Sequence, residues 1–323
     1  MTYAFFPGCS LAHTASAYAD SIGAVAERLG LDLAEIEDWN CCGATEYSAI
    51  ELLPAYALVA RNLALVNGDL SQVVAPCSLC YVNLRRTQQA LRERETLRAQ
   101  VDDALAAGGL SYQPGHLSVR HLLDVVVNDV GLGTIASNIV RPLYGLRIAP
   151  YYGCLTVRPA KGFDDPEQPE SLDRLLRALG AEVVDFPLKA DCCGGHMTQI
   201  SADVAYGLLR RLLQNATDRG ADLVVTVCPM CQLNLDAYQD RVNRHCGTDF
   251  HLPVLFFTQA VGLALGLSPE ALGLGKEIVP AQQVLRAKWS TEPSPAPEQP
   301  RRPHRRRRDP TLPMPEARSV RHG

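Results

Sequence analysis

The sequence predicts an α/β protein of two repeated, pseudo-symmetric halves, each a mostly parallel sheet flanked by helices. Three observations point to it. Short β-prone runs alternate with helical stretches, the alternation occurs twice in the same order, and ten of the eleven cysteines fall into two sets of matching spacing. Strands that alternate with helices favour parallel sheets with both faces covered.

In the first half, residues 2–6 (TYAFF), 33–37 (LAEIE) and 72–76 (QVVAP) are apolar and rich in β-branched or aromatic side chains, as strands are. Between them, residues 17–30 and 49–68 carry apolar positions at helical spacing, and Gly30 is placed to end the first helix. The second half repeats the order with strands at 147–152 (RIAPYY), 182–186 (EVVDF) and 222–227 (DLVVTV), and helices at 171–180 and 202–220. We therefore expect one domain over residues 1–145 and a second over 146–287. From Lys288 to residue 323 the composition changes to proline and arginine, including the run Arg305 to Arg308, and this tail is expected to be disordered. It carries nine Lys or Arg against four Asp or Glu, which leaves an acidic body before it.

Across its 323 residues the chain has a net charge of −4, 47% hydrophobic residues and 6% aromatic ones, which argues against a nucleic-acid binder and against an acidic disordered chain. The opening MTYAFFPGCS lacks a basic segment and a long apolar core, so no secretory leader is expected and the cytoplasm is the predicted compartment. The longest apolar stretch, from Leu252, is interrupted by Thr258, Gln259 and glycines, so no membrane span is expected. In a reducing compartment eleven cysteines are not disulfide staples, which leaves metal binding or redox chemistry.

The two sets are Cys9, Cys41, Cys42, Cys77, Cys80 and Cys154, Cys192, Cys193, Cys228, Cys231. The last four of the second set each follow their counterparts by 151 residues, whereas Cys154 follows Cys9 by 145. Gene duplication accounts for that register, with the extra residues assigned to a loop at Asp164 to Glu170. Each cysteine group comes just after a predicted strand. In open parallel sheets ligands gather outside the carboxyl ends of the strands, so three loops per half converge on one site. The following helices would aim their free N–H groups and positive dipole ends at it, which favours thiolates.

A four-cysteine zinc site would leave six of the matched cysteines without a role. A redox Cys-x-x-Cys pair alone would ignore the three other cysteines at fixed offsets. Cubane iron–sulfur clusters take four thiolates, so a fifth would bridge irons, act as a free redox thiol or be spare. Gly43 and Gly194-Gly195, after the paired cysteines, allow positive φ and close approach of backbone N–H groups to sulfur.

The pattern Cys9, Cys41-Cys42-Gly43, Cys77-x-x-Cys80, repeated at Cys154, Cys192-Cys193-Gly194 and Cys228-x-x-Cys231, resembles the double CCG-domain proteins, above all the B component of heterodisulfide reductase. The contexts EIEDWNCCGATE, YYGCLTVRP and CPMCQLNLDAYQ support the likeness, which spans about residues 1 to 265. The resemblance implies two noncubane [4Fe-4S] clusters, one per half, each held by all five cysteines of its set and facing the other across a pseudo-twofold interface. It further implies a disulfide or sulfur-carrier thiol substrate that exchanges one electron with each cluster. Electrons would come from a ferredoxin-like subunit, the C component of such complexes, fed by a flavoprotein subunit, their A component. This chain has no Gly-rich dinucleotide fingerprint and no ferredoxin run of its own.

Among relatives of this kind, the arginine- and proline-rich composition with few lysines favours a bacterial sulfur-oxidising version. An alternative is an electron-relay subunit of a flavin-dependent lactate, glycolate or fumarate type oxidoreductase; another is a structural zinc protein. Disulfide reduction consumes protons, and His196, three residues after Cys193, is the candidate proton donor, with His13 a weaker one. Cys246 has no partner in the first half and is expected to be unliganded.

Overall fold

Tyr3 and Phe5 of β1 (Thr2–Phe5) enter one apolar core, while Ala4 and the adjoining Phe6 enter another. Such alternation on a strand buried on both faces is the local signature of a parallel sheet between helical layers. The computed structural model describes residues 2–44, 47–66, 68–157 and 162–292.

Around β1, the strands β2 (Asp32–Glu35), β3 (Gln72–Ala75) and β4 (Ser118–His121) form a parallel sheet of order β2-β1-β3-β4. The second repeat builds the same sheet from β5 (Arg147–Tyr151), β6 (Glu182–Val183), β7 (Leu223–Thr226) and β8 (Val254–Phe256), in the order β6-β5-β7-β8. The α/β class and the parallel sheets are as expected. The sequence reading had not identified β4 and β8, which complete the two sheets.

Helices cover the sheets through apolar stripes. Ser16–Leu29 buries Tyr18, Ile22, Val25 and Ala26, and stops where Gly30 turns left-handed at φ 66 and returns its N–H to Ala26 and Glu27. Ser171–Ala178 buries Leu172, Leu175 and Leu176 and leaves Arg174 exposed. Asp164 sits in the loop ahead of that helix, and its carboxylate accepts the N–H groups of Glu170 and Ser171. The extra residues of the second repeat thus form a loop and leave the sheet order unchanged.

The helix Ser16–Leu29 packs on Phe257–Ala264 of the other repeat, with Ser21 and Thr258 hydroxyls 2.6 Å apart in the contact. Ser171–Ala178 packs in turn against Leu122–Asp124 and Leu132–Ser137 of the first repeat. This reciprocity is that of an isologous interface. Both apolar cores draw on both repeats, so the repeats belong to one body that includes the described residues up to Glu292.

That body continues beyond Lys288, where the sequence placed the start of the tail. Trp289 donates its indole N–H to the Pro142 carbonyl at 2.7 Å and stacks with Arg141 at 3.8 Å. The run Arg305 to Arg308 and the rest of 293–323 lie outside the described residues. Among the described residues no helix is long and apolar enough to cross a membrane; the apolar stretch from Leu252 divides into β8 and the helix Phe257–Ala264.

Candidate metal centre

The ten matched cysteines stand at the carboxyl ends of the strands. Cys77 follows β3 after one residue and caps the helix Ser78–Glu93; Cys228 follows β7 and caps Pro229–Ala237, where proline occupies the first turn without loss of a needed N–H. Cys9 lies in the loop after β1, Cys154 opens the short helix Cys154–Val157 after β5, and the paired cysteines lie in the loops after β2 and β6.

No disulfide joins any of the eleven cysteines. Cys42 and Cys80 sulfurs lie 3.1 Å apart, Cys193 and Cys231 3.6 Å, and Cys9 and Cys41 3.8 Å. Cys77 interacts electrostatically with Cys80 in its own repeat and with Cys228 from the other, and Cys228 in turn with Cys231. A continuous run of buried thiols therefore crosses from repeat to repeat: Cys42, Cys80, Cys77, Cys228, Cys231, Cys193. Cys9, Cys41 and Cys192 are exposed at the outer ends, and Cys154 is half-buried.

The contacts polarise the thiols. Interaction with Cys41, then with Cys80, draws Cys42 down to about 4. Bonds from Cys231 and Cys77 hold Cys228 well below the ordinary thiol range, and a bond from Cys231 lowers Cys193. Their partners move the other way: Cys41 rises through Cys42, Cys77 through Cys228, Cys80 through Cys42 and Cys231 through Cys193. Metal ligation requires thiolate, and this array already favours it at Cys42, Cys193 and Cys228.

Two backbone features repeat around the sulfurs. Gly8 at φ 75 and Gly153 at φ 70 approach so closely that a Cβ would lie 2.8 Å from the sulfur of Cys80 and Cys231 respectively. Asn83 donates to the Cys42 carbonyl at 3.0 Å; Asn234, 151 residues later, donates to the carbonyls of Cys193 at 3.3 Å and Gly195 at 2.9 Å and approaches the Cys193 sulfur at 3.5 Å. Neither asparagine is among the sequence-predicted site residues, although Cys-x-x-Cys-x-x-Asn recurs in both halves.

At the junction of the repeats, the hydroxyl of buried Tyr18 is shared between the carbonyls of Pro76 at 3.3 Å and Val227 at 3.4 Å, the residues just before Cys77 and Cys228. Its ring stacks on Phe256 at 4.1 Å. Ser78 and Thr156 hydroxyls meet across the same boundary at 2.6 Å. His121, fully buried, accepts the Leu123 N–H at Nδ1 over 3.1 Å, which leaves its proton on Nε2. Burial pushes His121 down to about 4, so it is neutral near pH 7. Its Nε2 is directed towards the Pro76 and Val227 carbonyls yet completes no hydrogen bond. Neither Tyr18 nor His121 was singled out from sequence, since a lone tyrosine or histidine carries no spacing signal.

His196 is half-buried just ahead of the short helix Met197–Ile200, three residues after Cys193. His13 is exposed in the loop after Cys9. Cys246 ends the helix Gln239–Cys246, half-buried against the second core.

Among the described residues no three His, Cys, Asp or Glu side chains are arranged to hold a single metal ion. The thiols instead gather at the strand ends of each repeat, and in each a glycine keeps carbon off one sulfur, Gly8 at Cys80 and Gly153 at Cys231. A soft, all-sulfur donor set of this kind fits an iron–sulfur cluster in each repeat.

The family model for the cysteine-rich domain CCG matches residues 3–85 and 148–236, one copy per repeat. The 8-methylmenaquinol:fumarate reductase membrane anchor subunit of Wolinella succinogenes is 37% identical over 87% of this chain and 98% of its own length. The B component of the ferredoxin:CoB-CoM heterodisulfide reductase of Methanosarcina mazei is 31% identical over 78% of this chain and 85% of its own length. A crystal structure of a hypothetical protein from Helicobacter pylori shares the fold, with a TM-score of 0.69 at 15% identity; the match covers 86% of this chain and 52% of that one. With both copies of the motif present and every cysteine in place at its strand end, the chain belongs to the double cysteine-rich CCG-domain family that includes the B component of heterodisulfide reductase.

Proposed function

We propose that the chain is the iron–sulfur subunit of a heterodisulfide reductase-like oxidoreductase, making or breaking a disulfide or a sulfur-carrier thiol between two noncubane [4Fe-4S] clusters. Cys9, Cys41, Cys42, Cys77 and Cys80 would hold one, and Cys154, Cys192, Cys193, Cys228 and Cys231 the other. The observation that carries this reading is the junction at Tyr18, whose hydroxyl lies between the carbonyls of Pro76 and Val227, the residues just before Cys77 and Cys228, and so brings the two cysteine sets to a shared boundary. Bound clusters supply one-electron transfer, and a pair of them matches the two electrons of a disulfide.

The protein's own contribution is positioning and dryness. Six thiols are buried around the junction, where electrostatic interactions are strong. Two helix N-termini, after Cys77 and Cys228, stabilise negative charge there. The exposed ends at Cys9, Cys41 and Cys192 leave an approach for an electron-delivering partner. In this reading that partner is the ferredoxin-like C component, supplied by the flavoprotein A component in the cytoplasm. His196, three residues after Cys193, would hand a proton to a leaving thiolate.

A second reading draws on the 37% identity to the fumarate reductase membrane anchor protein over nearly all of its length. There the same centres relay electrons to a flavoprotein and no disulfide reacts. Anoxically purified protein should contain about eight iron and eight acid-labile sulfide per chain. Stopped-flow reoxidation of the reduced protein then separates the readings. Reoxidation by a low-molecular-weight disulfide, releasing two thiols per two electrons, supports the first; reoxidation by a menaquinone analogue with no response to any disulfide supports the second. Colourless protein with zinc in place of iron would refute both.

A further inference from the structure

A cleft beside the edge strand recurs in both repeats, and the chain itself fills much of one copy. In the first repeat Tyr81, Arg85, Val119 and Asp124 line it; in the second, Gln232, Asp236, Val254 and Gln259 do. These are equivalent positions. Gln232 and Asp236 follow Tyr81 and Arg85 by 151 residues, the offset of the cysteines, and the pairing of Val119 with Val73 matches that of Val254 with Val224, 151 residues on. A shared bond fixes the match: Gln88 donates to the Leu117 carbonyl at 2.9 Å, and Gln239, again 151 residues later, to the Leu252 carbonyl at 2.7 Å.

In the second repeat Asp236 accepts the backbone N–H groups of Ile278 at 2.8 Å and Val279 at 2.9 Å, which lays residues 276–278 along the cleft and leaves about 380 Å³. The first repeat has an arginine, Arg85, where that carboxylate stands, and its cleft holds about 820 Å³, the size of a small-molecule site. Arg85 donates to the Tyr81 hydroxyl at 2.5 Å. Arg92 lines the same cleft, seven residues or two helical turns further along Ser78–Glu93, about 10 Å along its axis. It is exposed and carries no ion pair among the described residues. The acidic groups at the cleft already have partners: Asp124 accepts from Arg120 and Asn128, and Glu93 from Gln89.

We propose that the first-repeat cleft binds a small organic anion with two acidic groups, one held by Arg85 and the other by Arg92, in the place where the second repeat holds its own backbone on Asp236. The sign of the ligand follows from the exchange of carboxylate for guanidinium: a site that receives donors in one repeat presents them in the other. Guanidinium stays charged and can only donate, and its planar fork gives two parallel N–H bonds to carboxylate or phosphate oxygens alike. Buried Gln88, between the two arginines on their helix, supplies a polar wall. Phe163 from the second repeat, whose ring meets that of Tyr81 at 6.5 Å, supplies an apolar one. The site is built of ordinary side chains, so the inference does not depend on the cluster reading.

Calorimetric titration of the anoxically purified full chain with linear dicarboxylates from succinate to suberate, and separately with inorganic phosphate and pyrophosphate, should show one saturable site per chain. Affinity among the dicarboxylates should peak at one chain length, as two fixed anchors require. Tighter binding of pyrophosphate than of that dicarboxylate would support the site with phosphate as its acidic group, and the reverse would support it with carboxylate. Arg92→Gln removes an exposed charge, so it should fold normally and weaken binding about tenfold or more. Arg85→Asp, which copies the second repeat, should abolish binding. Arg86→Gln, exposed on the same helix and outside the cleft, should leave it unchanged. No saturable binding of any of these anions, or equal weakening by Arg86→Gln and Arg92→Gln, would overturn the proposal. Should Arg85→Asp fail to fold, the comparison of Arg92→Gln with Arg86→Gln decides.

Discussion

Gly153→Ala tests the cradle around the second cysteine set. At φ 70 an alanine pays a left-handed backbone penalty of about 1–2 kcal/mol. Its methyl would also stand 2.8 Å from the Cys231 sulfur, well inside the roughly 3.5–4.0 Å at which such atoms attract. Nearby space is closed, because Tyr151 is buried and the Cys231 sulfur already contacts Cys193 at 3.6 Å. The sulfur must therefore leave its place. Gly247→Ala is the control: at φ 66 it meets the same backbone penalty, but no atom lies within 4 Å of its Cβ. Both variants should lose stability in denaturant titrations, Gly153→Ala the more because its methyl also displaces the sulfur. Only Gly153→Ala should lose about half of the eight iron atoms per chain expected for two clusters. Full iron in Gly153→Ala, or equal iron loss in Gly247→Ala, would refute the cradle.

Three other outcomes follow from the same geometry. Asn234→Ala, which removes two carbonyl contacts and the approach to the Cys193 sulfur, should cost about 1–3 kcal/mol and speed chelator removal of half the iron; Asn83→Ala, with one carbonyl contact, should cost about 1 kcal/mol. Burial alone would raise the Asp129 carboxyl, but hydrogen bonds from Arg120 and Tyr3 outweigh it and hold the group below its ordinary range. Its stabilisation is therefore present above about pH 4 and lost as pH falls further, so the gap in denaturation midpoint between wild type and Asp129→Asn should narrow on acidification. Cys246→Ser should leave iron content unchanged, as measured by metal analysis, because Cys246 sits at the end of its helix outside the ten-thiol array.

Much of the fold could be read from local pattern. β1, β3, β5 and β7 are short apolar runs between turn residues, and their helices carry clear stripes. β4 escaped because SVRH has one aliphatic residue in four, and its Arg120 is stabilised by ion pairs to Asp124 and Asp129 that form only in the folded chain. β8 escaped for the opposite reason: Phe256 both ends the strand and caps the following helix, so no turn residue interrupts the apolar run. At the site, spacing made the cysteines legible because duplication wrote the pattern twice. The asparagines were legible on the same ground. Tyr18 and His121 were not, since their roles depend on the other repeat's carbonyl groups, and a linear chain does not announce which distant backbone it will meet.

By strand register His121 lies beside Ala75 and Phe256 beside Thr226, 151 residues on, so the two are equivalent positions of the repeats that carry different residues, and the difference has a meaning for the origin of the molecule. In a symmetric dimer of half-length chains, one codon sets the residue on both sides of the axis, so a histidine on one side brings a histidine on the other. Joining two copies end to end separates those codons. Each half can then drift alone, and a junction that began with two interchangeable sides can acquire an entrance and an exit.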